Sequence, residues 1–141
     1  MPVAAWASKF GLRPGQRVAL VEPLESDLAS MRLAAPDGVR LDLGLKPDSL
    51  YDQIFYWPRQ TEGLAERLRH LARMVPPQGA IWLVIPKQAH RQALDVTMTW
   101  EQMQAEALTT DLVDNKTASF SDRTYGTRFV IRRSARPGSV K

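Results

Sequence analysis

The chain has 141 residues, 44% of them apolar, which suits one domain with a hydrophobic core of its own. It has no cysteine and two histidines, His70 and His90, which excludes disulfide scaffolds, thiolate zinc sites, cysteine nucleophiles and a histidine-rich metal centre. The formal net charge is +4, and the excess gathers late, where Arg128, Arg132, Arg133, Arg136 and Lys141 meet no acidic residue after Asp122.

Residues 1–12 read as an N-terminal arm or short helix whose Trp6, Phe10 and Leu12 pack on the body. There is no basic start followed by a long apolar run, so no signal peptide is expected, and no stretch approaches a membrane span. A cytoplasmic location is therefore expected, in keeping with the missing cysteines. "RPGQ" (13–16) is a turn, with Pro14 presetting φ and Gly15 free to take a positive one. "RVALV" (17–21) has an apolar core without alternation, as a strand covered on both faces requires. "ESDLASMRLA" (25–34) follows as a helix, with Ser26 as N-cap and Leu28, Met31 and Leu33 as its apolar side.

"VRLDLGL" (39–45) alternates as a second strand, and "YDQIFYW" (51–57) is a third. In "QTEGLAERLRHLARMV" (60–75), Leu64, Leu68, Leu71 and Val75 fall at helical spacing, and Pro76 and Pro77 end the helix. "GAIWLVIP" (79–86) is the strongest strand signal. Thr99 with Gln102 three residues on is a capping-box spacing, which predicts a helix from Trp100 to Leu108. "LVDNKTASF" and "YGTRFVIRR", joined by "SDRT", form an antiparallel pair, and residues 134–141 read as a basic flexible tail.

Strands alternating with helices predict an α/β three-layer sandwich over residues 13–133. Its mostly parallel, Rossmann-like sheet of about six strands would end in an antiparallel hairpin. That pattern resembles the class I methyltransferase fold. "LYDQIFYW" occupies the place of a strand that often begins with an aromatic–Asp pair there, "MVPPQGAIWLVIPK" resembles its helix, Pro-Gly turn and apolar strand, and the last two strands resemble its closing hairpin. More closely, "LRPGQRVALV", "PPQGAIWLVIPK" and "RFVIRR" resemble a bacterial family of small proteins catalogued as a domain of unknown function, over roughly residues 8–133.

The methyltransferase resemblance implies a glycine-rich turn after the first strand, with S-adenosylmethionine as cofactor. Here Glu22, Leu24 and Ser26 stand where glycines are expected, Pro23 removes an N–H donor, and Glu22 and Glu25 add negative charge. On that ground no cofactor is expected. The remaining candidates lie at the carboxyl ends of the strands, where open α/β sheets form crevices. Glu22, Pro23, Asp42, Trp57, Arg59 and Lys87 would share one mixed-charge rim suited to a small polar or nucleotide-like ligand. Asp42 otherwise serves as a polar residue of an alternating strand, and Trp57, like Trp6, would line a groove or interface. His90 reads as a solvated loop residue and His70 as the surface partner of Glu66. Nothing suggests a nucleophile, and no metal site is expected.

In the last strand Tyr125 and Phe129 share one parity and Arg128 and Arg132 the other, which counts against a base-stacking platform and against nucleic acid. The reading from sequence is a non-catalytic binding or interaction protein. A divergent S-adenosylmethionine-dependent methyltransferase is the alternative, and a nucleic-acid-associated protein using the basic end is the second. A homodimer through the edge strand or the Trp6 arm stays open.

Overall fold

The computed structural model describes residues 3–135. In chain order they form α1 (Val3–Lys9), β1 (Arg17–Val21), α2 (Glu25–Ala34), β2 (Arg40–Leu43), β3 (Gln53–Tyr56), α3 (Leu64–Ala72), β4 (Ala80–Pro86), a short α4 (Arg91–Leu94), α5 (Trp100–Ala107), β5 (Leu112–Ser119) and β6 (Thr124–Ile131). The strands make one sheet in the order β2-β1-β3-β4-β6-β5. The first four are mutually parallel, and β6 runs antiparallel between β4 and β5. The last strand is thus interior and β5 is the edge, with Asn115 as the extra residue of a bulge between Asp114 and Lys116.

Side-chain parity along the strands divides the core into two layers. Ala19, Val21, Ile54, Ile81, Leu83 and Phe129 face α3 and α5, where Leu64, Leu68, Leu71, Met103 and Ala107 meet them. Val18, Leu20, Phe55, Trp82 and Val84 face α1 and α2. That second layer is aromatic: Trp6, Phe10, Phe55, Trp57, Trp82 and Phe120 interlock, with Phe55 and Trp82 stacked at 5.9 Å. Gly126 leaves room for it, since a Cβ there would lie 3.0 Å from the Trp82 ring. Helices on both faces of the sheet make the three-layer α/β sandwich expected from the sequence.

The helices follow local rules with two differences. The Thr99–Gln102 capping box forms with bonds of 3.1 and 3.0 Å, and α5 begins there. α3 begins at Leu64, not near residue 60, because Gly63 turns the chain in with φ 75°. Ser26 does not cap α2; the helix starts at Glu25 after Leu24, and no side chain caps it. Its buried side is Asp27 and Met31, four residues apart, while Leu33, about 200° round the helix from Met31, is 82% exposed. Residues 136–141, most of the expected basic tail, lie outside the described residues.

Candidate functional site

β1, β2, β3 and β4 all end on one edge of the sheet, and the strand order changes direction between β1 and β3. Open α/β sheets hold ligands beside such a switch. Glu22 is the first residue past β1 there, and its backbone takes φ 54°. A left-handed conformation costs a residue with a Cβ roughly 1–2 kcal/mol. Glu22 therefore holds a backbone shape that glycine adopts freely.

Three segments converge on this turn. Arg59 donates from Nη2 to the Glu22 carbonyl at 2.9 Å and from Nη1 to the Trp57 carbonyl at 3.0 Å, tying the turn after β1 to the turn after β3. Arg67, one turn into α3, donates from Nη2 to Glu22 Oε2 at 3.1 Å. Its guanidinium also lies 5.4 Å from the centre of the Tyr56 ring, a cation–π distance. Together with Gln60, Glu62, Gly63 and Leu64, these residues line a cavity of about 250 Å³. Burial raises the Tyr56 pKa above the ordinary 10.0; the Arg67 charge pulls it back and that of Glu22 adds to the rise. Tyr56 is thus a proton-bearing donor at neutral pH. The site carries both signs of charge within one small space.

The other sequence candidates go elsewhere. Asp42 lies one residue before the end of β2, buried, where Arg17 Nε donates at 3.1 Å, Arg40 Nε at 3.3 Å and Tyr51 Oη at 3.1 Å, with Lys46 Nζ at 3.8 Å. Burial, the largest influence on its carboxyl, opposes ionisation. Hydrogen bonds from Arg17 and Tyr51, the Lys46 charge and the Arg40 bond outweigh it, holding the pKa below 3.8. Trp57 is 1% exposed, inside the aromatic layer. Its indole N–H donates to Asp27 Oδ2 at 2.9 Å, and the Thr124 hydroxyl donates to the same oxygen at 2.8 Å. Lys87 reaches away from the switch to donate to Ser119 Oγ at 2.8 Å. Glu22 and Arg59 thus share one cavity, with half-buried Pro23 beside them in the chain. Asp42, Trp57 and Lys87 line other surroundings, and neither histidine lines the cavity.

Sequence reasoning missed Tyr56, Arg67 and Asp27. Tyr56 ends the third strand and Arg67 follows at the start of the next helix, so the strand–helix order does place both at this edge. Asp27 carried a fainter signal, an acid four residues before Met31 on the buried side of α2. Among the described residues no group of acids and histidines is placed to hold a metal ion. No helix there is long and apolar enough to cross a membrane.

No family model matches the chain, and no curated protein matches it by sequence. Solved structures do resemble it. The N-methyltransferase NodS from Bradyrhizobium japonicum WM9 is 8% identical, with a TM-score of 0.56 and 92% of each chain covered. The CcbJ methyltransferase from Streptomyces caelestis is 10% identical, with a TM-score of 0.59, covering 92% of this chain and 89% of that one. LepI in complex with S-adenosylmethionine is 12% identical, with a TM-score of 0.56, covering 92% of this chain and 40% of that one. The fold is that of the class I methyltransferases, a Rossmann-like sheet closed by an antiparallel strand pair.

These likenesses correct the expectation that no cofactor belongs to this chain. LepI has been solved in complex with S-adenosylmethionine, and a LepI variant in complex with S-adenosylhomocysteine and a substrate analogue. The expectation rested on the missing glycines and the added carboxylates of the first turn. In the structure Glu22 keeps a glycine-like backbone shape, Arg67 pairs with its carboxylate, and Arg59 holds its backbone carbonyl.

Proposed function

We propose that the protein is a methyltransferase-fold binding protein that takes an S-adenosylmethionine-class ligand, its amino-acid end seated in the β1/β3 cavity. The observation that carries this reading is the paired charge of the cavity. An α-ammonium finds the Glu22 carboxylate, and an α-carboxylate finds the spare N–H donors of Arg59 and Arg67. The Glu22–Arg67 pair is exposed on both sides, so rearranging it around a zwitterion costs about 1 kcal/mol or less. A volume of about 250 Å³ is below the roughly 300–1,000 Å³ of whole-ligand pockets. It suits the amino-acid end, with the nucleoside lying outside along the sheet edge.

In this reading the ligand is held and not consumed, and the chain is a bacterial, cytoplasmic protein of the small family it resembles. A thermal-shift titration with S-adenosylmethionine and S-adenosylhomocysteine tests it: both raise the melting temperature, and Arg67→Gln reduces the rise. No rise at millimolar ligand refutes it. Methyl transfer is the second reading, favoured by the methyltransferases among the structural likenesses. Label from methyl-tritiated S-adenosylmethionine appearing in a cell extract only when the protein is present would establish it.

A further inference from the structure

We infer that the tip of the β5–β6 hairpin, with the ends of α1 and β4 against it, is a binding site for the phosphodiester backbone of a nucleic acid strand. Four cations from four segments gather there. Lys87, just past β4, donates from Nζ to Ser119 Oγ at 2.8 Å, and Lys9, at the end of α1, from Nζ to the Ser119 carbonyl at 3.4 Å. Lys116 of β5 donates from Nζ to the Lys9 carbonyl at 2.6 Å. Arg123 donates from Nη2 to Ser26 Oγ at 3.2 Å, while its own carbonyl accepts the Lys87 backbone N–H at 2.8 Å.

Every acceptor of these four side chains, two serine hydroxyls and two backbone carbonyls, is a neutral oxygen. None of the four cations pairs with a carboxylate among the described residues; the nearest acid in sequence, Asp122, is exposed and joins none of them. The fold therefore draws like charges together without an internal counter-ion, and each ammonium keeps two N–H donors to spare. An anion placed there relieves the repulsion. Lysine, arginine and nearby serine hydroxyls are the donor set that holds phosphate oxygens along a nucleic acid strand.

The surroundings favour that occupant over a protein. Of the exposed large apolar residues, Leu43, Leu50 and Leu108 lie on other elements, while Leu33 borders the hairpin turn across a groove it shares with Ser121 and Asp122, so it is the unbalanced positive charge that sets the occupant. Lys116 and Ser119 sit three residues apart on the exposed edge strand, roughly 10 Å or about three nucleotides of a stacked strand, and their side chains leave its opposite faces, so the contact follows the strand's edge. No exposed aromatic accompanies the cations, so binding reads the backbone and is indifferent to base sequence. These residues are distinct from those of the β1/β3 cavity and from the C-terminal arginines.

Fluorescence anisotropy with a labelled single-stranded 20-mer, measured across 25–200 mM salt, tests the assignment. The wild type binds at low salt with an affinity that falls log-linearly as salt rises. The triple variant Lys9→Gln, Lys87→Gln, Lys116→Gln binds at least about tenfold more weakly at low salt, and its salt slope is shallower by about 2. The charge-matched control Arg73→Gln, on the opposite face, changes the slope by about 0.7 or less. Circular dichroism of the triple variant shows that it folds. Wild-type binding that the triple variant retains in full overturns the site. No oligonucleotide binding at 25 mM salt overturns the nucleic acid assignment.

Discussion

Replacing Glu22 by glycine and by alanine separates the two things this residue does. Both substitutions remove the ion pair with Arg67, whose partners are 54% and 42% exposed and which is therefore worth between 0 and about 1 kcal/mol. They differ in the backbone. At φ 54° alanine keeps the left-handed strain of roughly 1–2 kcal/mol, while glycine is free of it. Glycine also gains freedom in the unfolded chain, which costs about 0.4–1 kcal/mol. The balance puts Glu22→Gly about 0.5–1 kcal/mol above Glu22→Ala, and within about 1 kcal/mol of the wild type. For a chain of this length that is a difference of a few degrees in melting temperature. Urea denaturation followed by tryptophan fluorescence measures it. Glu22→Gly less stable than Glu22→Ala would refute the glycine-like turn after β1.

Three other outcomes follow from the buried structure. Asp27→Ala leaves the Trp57 indole N–H without its acceptor and takes one from Thr124, costing about 2–4 kcal/mol in chemical denaturation, whereas Asp27→Asn, which keeps an oxygen there, costs less than half as much. Asp42 has a folded pKa below 3.8, so the unfolded state takes up its proton first as pH falls. Its contribution is complete above that value and is lost as pH drops through the folded pKa; Asp42→Asn flattens stability against pH on the acid side only. Gly126→Ala sets a Cβ 3.0 Å from the Trp82 ring and 3.3 Å from Phe10, in a layer where neither ring has room to retreat, and costs about 1–3 kcal/mol in the same denaturation assay.

Most of the fold was legible because burial writes itself into the strands. "AIWLVIP" is apolar throughout and all seven residues of β4 are buried, while β2 alternates and lies at the edge. The place of β6 was not legible, since a hairpin pattern does not say which of its strands meets the sheet. The site was half legible. Glu22 and Arg59 follow their strands directly, so strand order alone brings them together. Arg67 falls outside the Leu64, Leu68, Leu71 and Val75 stripe, and nothing local links it to a turn 45 positions earlier. Asp42 misled for a related reason: alternation shows that a residue is polar, and only the folded register reveals three cations and a tyrosine around it. Trp57 stands just past a strand, yet Asp27 on another helix draws its indole into the core.

The most direct measurement is an NMR titration of the ¹⁵N-labelled protein with S-adenosylhomocysteine, following backbone amides and arginine Nε–H signals. Ligand binding in the β1/β3 cavity gives saturable shifts at Glu22, Tyr56, Arg59, Gly63 and Arg67, with Lys9, Lys116 and Ser119 unmoved. A spectrum unchanged at millimolar ligand, or shifts confined to the hairpin tip, contradicts it.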